Sequence, residues 1–412
     1  MKVLLLNQTF HPDVVSTAQH ASDLARELTS RGHEVSVICS RRAYDNPERR
    51  FARAEDWNGV HIKRVNCLGF GKRSKLGRAL VFASFLANCA IELLRFPACD
   101  AVIAMTSPPV ISFLGALFAR LRGGRCIFWV MDLNPDEAIA AGWLRASSPA
   151  ATALGGLLQY SLARSQQLIV LDRFMRERIE DKGVPRDRIA VIPPWPHEDA
   201  VRYSNEGRAA FRAEHGLTDK FVVMYSGNHS PCHPLSTLLR AAAELSSRDD
   251  IVFCFVGGGS EFRKVQHFAA DRGLKNILCL PYQPIERLSG SLSAADLHVV
   301  VLGEPFVGLV HPCKVYNILA LGVPVLYIGP SPSHVTELLP EDAIGRWAYL
   351  ASHDDTGLTV AHITAAAAKK TVVTGALAAR FSQQHLLAEF CDVIESRAAK
   401  GVRGAPAELA NR

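Results

Sequence analysis

Three prolines fall within the four residues Pro193-Pro194-Trp195-Pro196. No helix interior or central strand passes through such a run, because each proline removes an N–H and fixes φ. On either side the chain follows one pattern, short apolar runs alternating with helical stretches. Before the prolines the runs are Lys2–Leu6, Glu34–Cys39, Val60–Val65, Asp100–Met105, Arg125–Val130, Gln167–Leu171 and Ile189–Ile192. After them come Phe221–Tyr225, Ile251–Val256, Asn276–Leu280, Leu297–Leu302 and Pro324–Ile328, with helices from about Thr356 onward. This alternation predicts an α/β chain with parallel sheets covered by helices on both faces. The prolines and the charged stretch to about Asp219 read as a linker between two wound domains, residues 1–195 and 196–380. With 412 residues the chain exceeds what one core usually holds. The tail after Lys400 reads as frayed.

The stretch Gly303–Pro330 carries the first functional signal. Its spacing predicts a loop turning at Gly308, a short helix with Pro312 in the first turn and Gly322 at the C-cap, then a buried strand. Lys314 in the first helical turn opposes the helix dipole unless an anion sits there. Free amides at a helix N-terminus behind a glycine-containing loop suit phosphate. An ordinary loop–helix–strand unit with a surface lysine fits the same pattern.

Ligands in doubly wound sheets bind beyond the carboxyl ends of strands. The loops there are Asn7–Ser16 and Met131–Glu137 in the first half, and Ser226–His233, Gly257–Ser260 and Gly303–Pro312 in the second. Gly257, Gly258 and Gly259 let a ligand approach the backbone, but no further glycine completes a dinucleotide fingerprint, so hydride transfer is disfavoured. Asp132 at a strand end suits orienting or deprotonating a hydroxyl, or simply capping a turn. His229, Cys232, His233, His311 and Cys313 match no zinc spacing, and no metal is expected.

Net charge is +6, too little for a dedicated nucleic-acid binder, so no nucleic-acid partner is expected. The ten cysteines include no C-x-x-C pair, which fits reduced thiols in the cytosol. Met1–Gln8 reads as a first strand and not as a signal peptide. Arg41, Arg42, Arg49, Arg50, Arg53, Lys63, Arg64, Lys72, Arg73, Lys75 and Arg78 precede the apolar segment Ala79–Phe96. That segment is interrupted by Asn88, Glu92 and Arg95 and reads as a core or interfacial helix. Basic residues beside an apolar helix suit an anionic membrane surface; a solvated loop before a core helix is the alternative.

The strand-end motifs, taken in order, resemble those of the family 4 retaining glycosyltransferases of GT-B fold, in the branch that builds bacterial surface polysaccharides on lipid carriers. They are NQTFHPD at Asn7–Asp13, TSPP at Thr106–Pro109, WVMDLNPD at Trp129–Asp136, YSGN at Tyr225–Asn228, VGGG at Val256–Gly259, PYQP at Pro281–Pro284 and GLVHPCKVYNILALGVPV from Gly308. The resemblance implies two Rossmann-like doubly wound domains facing a cleft, with a C-terminal helix at about 381–400 returning to the first. It implies metal-independent transfer, without cofactor, of a hexosyl or N-acetylhexosaminyl group from a nucleotide-diphosphate sugar. The acceptor would be a polyprenyl-diphosphate-linked sugar or a glycan, handled by a cytoplasmic protein peripheral on the inner face of the membrane. Donor contacts would come from Asn228, His233, Gly257, Gly258, Tyr282, Gln283, Gly308, Leu309, Val310 and Asn317, with Lys314 on the diphosphate. Asp132 would be catalytic, and His11 and Asp13 would lie on the acceptor side. The wider family has two glutamates, with seven residues between them, where this chain has Leu309 and Asn317. The branch has an apolar residue and a serine where this chain has His311 and Cys313. Two alternatives remain, a non-catalytic nucleotide-sugar-binding subunit and a sugar-nucleotide epimerase.

Overall fold

The computed structural model describes residues 1–13, 15–44, 46, 48–69, 75–196, 201–369 and 382–401. Lys72, Arg73, the Lys75 side chain, part of the linker, the boundary at 380 and the tail beyond 401 lie outside the described residues.

The first half is an eight-stranded sheet of β1 (Lys2–Leu6), β2 (Glu34–Ser40), β3 (Ala54–Trp57), β4 (Val60–Val65), β5 (Ala101–Ala104), β6 (Arg125–Trp129), β7 (Gln167–Val170) and β8 (Ile189–Val191). Its order is β3-β4-β2-β1-β5-β6-β7-β8. The second half is a six-stranded sheet of β9 (Phe221–Asn228), β10 (Ile251–Gly258), β11 (Ile277–Leu280), β12 (Leu297–Val301), β13 (Val325–Ile328) and β14 (Ala348–Ala351). Its order is β11-β10-β9-β12-β13-β14. All pairings are parallel except β3–β4. β5, β7, β12 and β13 are buried at every position, which explains their mostly apolar sequences, with only Gln167 and His298 polar among them.

The strand order reverses between β1 and β5 in one sheet and between β9 and β12 in the other. The crevices beyond those strand ends are where ligands bind in wound sheets. They hold Asn7 and Thr106 on one side, and Ser226, Gly227 and Gly303 on the other.

The linker's Trp195 is 2 % exposed and packs among Trp129 and Phe390. Burying such a ring contributes about 4–6 kcal/mol at about 25 cal/mol per Å². Phe390 belongs to the helix Gln383–Gly401, which lies on the first half. Arg31 bonds Asp392 at 2.8 Å, and Arg125 donates to the Ile394 carbonyl at 2.7 Å. The two halves also touch directly. Leu133 N–H donates to the Leu309 carbonyl at 2.8 Å, and Arg178 donates to the Val307 carbonyl at 3.3 Å.

Two strands escape the sequence pattern. β3 (AEDW) is an exposed, charged edge strand that buries no apolar face, and β14 is four residues of AYLA. The helix after the basic region runs Lys75–Arg95. Within it Gly77–Arg95 is long and apolar enough to cross a membrane by length and composition, and 22 % of the window is buried. Phe85, Cys89 and Leu93 pack inward, while Leu80, Ile91 and Leu94 are exposed, as is Leu121 of the helix Ile111–Arg122, whose Arg122 donates to the Leu94 carbonyl at 2.5 Å.

Candidate active site

The helix expected after Gly303 spans Lys314–Leu321 and ends at Gly322 in the left-handed region. Pro312 lies just before it, with Cys313 at the N-cap and no side chain capping the first amides. Lys314 is therefore the first helical residue. Its ammonium is shielded from solvent, has no hydrogen-bond partner, and sits 3.5 Å from the Tyr225 ring centroid. Burial pulls its pKa down to about 7. An unpaired buried cation at the positive end of a helix is a site prepared for an anion.

Gly227 and the glycine run shape the floor. A Cβ on Gly227 (φ +126°) would meet the Lys314 side chain at 3.4 Å. A Cβ on Gly257 would strike the Gly227 carbonyl at 2.1 Å, and one on Gly258 would press the Tyr282 ring at 3.0 Å. The glycines are thus needed by the protein's own packing, which sets Tyr282 across their backbone; its hydroxyl donates to the Gly258 carbonyl at 3.3 Å.

A cavity of about 230 Å³ opens here, between the halves. Lys314, Asn317, Tyr282 and Gln283 line it from the second half, and Ser16, Gln19, His20 and Trp195 from the first. Trp195 is held by its indole N–H on Asp23 at 3.0 Å and by His20 Nε2 on its carbonyl at 3.1 Å.

Asn228, His233, Gly257, Gly258, Gly308, Leu309 and Val310 do not line this cavity. His233 bonds the Val301 carbonyl at 2.7 Å, and burial with the nearby Lys314 charge lowers its pKa to about 3. The expectation that the Gly308–Val310 amides face a diphosphate is corrected. Leu309 and Val310 N–H both donate to the Phe306 carbonyl, at 2.9 and 3.2 Å, closing the turn at Val307–Leu309 that follows the 3-10 turn Glu304–Phe306. Gly308 (φ +73°) lies so close to the Phe174 carbonyl that a Cβ would sit 2.6 Å from it.

On the opposite wall, Asp132 lines a pocket of about 10 Å³ with Thr106, Ser112 and Asn134. Burial and the neighbouring Glu137 raise its pKa. Burial raises that of Glu137 too, opposed by hydrogen bonds from Asn134 at 2.8 Å and the Cys232 thiol at 3.7 Å. Cys232 belongs to the second half, so Glu137 also ties the halves together. His11 stacks on Trp57 at 4.2 Å, and its carbonyl accepts from Arg64 at 2.8 Å; its burial lowers its pKa. Asp13 accepts the Tyr44 N–H at 2.9 Å. Tyr44 lies within electrostatic reach of Asp132, Asp13 and Glu137, and of Tyr282 across the cleft.

Glu137, Tyr44 and Trp195 were not singled out as site residues. Glu137 follows Asp132 in the same strand-end loop, which was its available signal. Tyr44 sits in a basic stretch without periodicity, and Trp195 is disguised by its prolines.

Two wound domains of parallel sheet facing a cleft are the GT-B architecture. Residues 17–195 match the family described as "Glycosyl transferase 4-like domain", and residues 207–335 match "Glycosyl transferases group 1". The chain is accordingly a GT-B glycosyltransferase, built of one domain of each kind. It is 26 % identical over 341 residues to the putative colanic acid biosynthesis glycosyl transferase WcaI of Escherichia coli K12, covering 78 % of this chain and 82 % of that protein. It is 24 % identical over 269 residues to the probable glycosyltransferase WbjE of Pseudomonas aeruginosa, covering 65 % and 67 %. The fold superposes on Anabaena HepE in complex with UDP-glucose with a TM-score of 0.69, at 15 % identity over 96 % of this chain and 100 % of that one.

Proposed function

We propose that this protein is a retaining family 4 glycosyltransferase that moves a hexosyl or N-acetylhexosaminyl group from a nucleotide-diphosphate sugar to a lipid-linked or glycan acceptor in surface polysaccharide assembly. The observation that carries the reading is Lys314, a buried ammonium with no partner in the cavity between the halves. The relatives support it, since WcaI is a putative colanic acid biosynthesis glycosyl transferase and HepE was solved with UDP-glucose.

Negative charge builds on the departing diphosphate during transfer. Lys314 and the uncapped amides of its helix would stabilise that charge, as fixed dipoles do in a site shielded from water. Tyr282 and Gln283 would lie by the base, and Asn317 by the ribose. The leaving phosphate would take the acceptor proton while Asp132 orients the hydroxyl, with His11, Asp13 and Tyr44 shaping the acceptor wall. The domain division at 195 belongs to this reading, the first half taking acceptor and the second donor. A non-catalytic nucleotide-sugar-binding subunit is the second reading. Leu309 motivates it, because a buried leucine stands where the family has a glutamate and its amide is already bonded.

Equilibrium binding of UDP- and GDP-sugars tests the donor assignment, and its pH dependence tests Lys314. The free enzyme's lysine loses its proton as pH rises through about 7, whereas the bound diphosphate keeps it charged. Binding therefore takes up a proton above pH 7, and Kd should rise with pH by up to about tenfold per unit. A Kd constant from pH 6.5 to 9 contradicts the role, as does a requirement for added Mg²⁺.

Membrane attachment is part of the proposal. Arg49, Arg50 and Arg53 are exposed. Arg64 is not available to lipid, because its side chain is buried against Glu55 at 2.7 Å, and Lys63 is paired with Glu92. Each exposed arginine near an anionic surface contributes about 1 kcal/mol, so Arg49→Gln, Arg50→Gln and Arg53→Gln together should weaken vesicle flotation by about 10²-fold. Wild-type protein that stays at the bottom of the gradient at low salt with anionic vesicles rules out the attachment.

A further inference from the structure

A second buried cluster lies on the seam between the halves, outside the cavity. Asp172 follows β7 and caps the helix Arg173–Glu180, its Oδ1 accepting from Met175 N–H at 2.8 Å. Its Oδ2 accepts from His311 Nδ1 at 2.7 Å and lies 3.7 Å from His334 Nδ1. His311 and His334 come from the other half, and their rings stack with centroids 4.0 Å apart. One donor atom from each of the three residues lies within 4.8 Å of the others, and all three residues are buried. Among the described residues this is the one cluster of histidine, cysteine and carboxylate groups assembled in that way.

His334 is the informative member. It is 3 % exposed, and neither ring nitrogen has a hydrogen-bond partner. A neutral imidazole always presents one N–H and one lone pair, and both are costly to bury unsatisfied. The backbone beneath is fixed, because Ser333 and Thr336 close a capping box around the start of the helix His334–Leu338. The residue is thus held at this position with its nitrogens uncommitted.

We propose that Asp172, His311 and His334 form a binding site for a zinc-type divalent ion that joins the two halves across their seam. Two imidazoles and a carboxylate are a zinc donor set, with bonds of about 2.0–2.2 Å in tetrahedral geometry. Tetrahedral bonds of that length separate donor atoms by about 3.3 Å, between the 2.7 and 3.7 Å spacings of this cluster. Entry of the ion requires the His334 ring to turn its lone pair out of the stack, and that rotation breaks no hydrogen bond. His311 would exchange its bond to Asp172 for the metal and donate Nε2–H to the Tyr316 hydroxyl, 2.9 Å away, the outer contact that orients a ligating histidine. Asp172 supplies the carboxylate oxygen, Oδ2, that already faces both histidines. A water would complete the four-coordinate shell. The site is separate from the diphosphate and does not depend on the transferase assignment.

The test uses the full-length protein without an affinity tag, titrated with ZnCl₂ against a chromophoric chelator and, in parallel, with Co²⁺ followed by visible absorption. Wild type should bind one ion per chain with sub-micromolar Kd, give a four-coordinate Co²⁺ spectrum, and melt at least 5 °C higher with Zn²⁺. His334→Phe keeps the ring stack and should abolish binding and the melting shift while leaving the metal-free melting temperature unchanged or higher. Asp172→Asn keeps the helix cap and should weaken binding at least tenfold, which serves if the first variant fails to fold. Wild-type protein that binds no Zn²⁺ at micromolar concentration overturns the proposal. Equal Zn²⁺ affinity in wild type and a folded variant overturns it too.

Discussion

Replacing Lys314 with alanine is expected to lower the rate of sugar transfer by about 10²–10³-fold, the size of effect seen when one preorganised charge or donor is removed from a developing anion. The fold should not suffer. The ammonium is buried without a hydrogen-bond partner and rests only on the face of the Tyr225 ring, so its removal deletes a poorly compensated charge and breaks no hydrogen bond among the described residues. The melting temperature of Lys314→Ala should therefore equal or exceed that of wild type, and its donor affinity should lose the pH dependence. Wild-type turnover in the folded variant means that the helix start does not meet the diphosphate.

Asp132→Asn should reduce kcat/KM for the acceptor by about 10²-fold, at the lower end of what a positioned acid or base supplies. Donor affinity should stay within about twofold of wild type. Asp132 lines its own small pocket with Thr106 and Asn134, in the half that does not carry Lys314. Its pKa is raised by burial and by the charge of Glu137, so asparagine removes a group whose ionisation is held back in the free enzyme. The acid limb of the rate profile should flatten along with the loss in rate. A parallel fall in donor affinity places Asp132 on the wrong side of the cleft.

Much of the fold is legible in the sequence because its central strands are buried on both faces. LHVVV of β12 and VLYI of β13 carry no polar alternation and end at Gly303 and Gly329. The linker is legible because prolines exclude alternatives, although nothing local announces that Trp195 packs inside the core. β3 is illegible because an exposed, charged edge strand exists only through its pairing with β4. The site divides along the same line. Lys314 stands out as a cation at the wrong end of a helix, a conflict readable within eight residues. The Gly308–Val310 amides mislead because a tight turn on the Phe306 carbonyl, invisible to helical periodicity, takes up two of them. Glu137 on Cys232 and Asp172 on His311 join residues 95 and 139 positions apart, so only the docking of the halves reveals them.

The claim that the cavity at Lys314 transfers sugar is tested most directly by incubating the purified protein with UDP- and GDP-sugars and a polyprenyl-diphosphate-linked acceptor extracted from membranes. Nucleoside diphosphate release and the mass of the lipid product are followed together, and the anomeric proton coupling of the product is read by NMR. Release that depends on acceptor, with a product one sugar heavier and of unchanged anomeric configuration, is the predicted result. Tight donor binding with neither release nor product contradicts it and leaves a binding subunit. Conversion of the donor sugar without any acceptor contradicts it as well and leaves an epimerase.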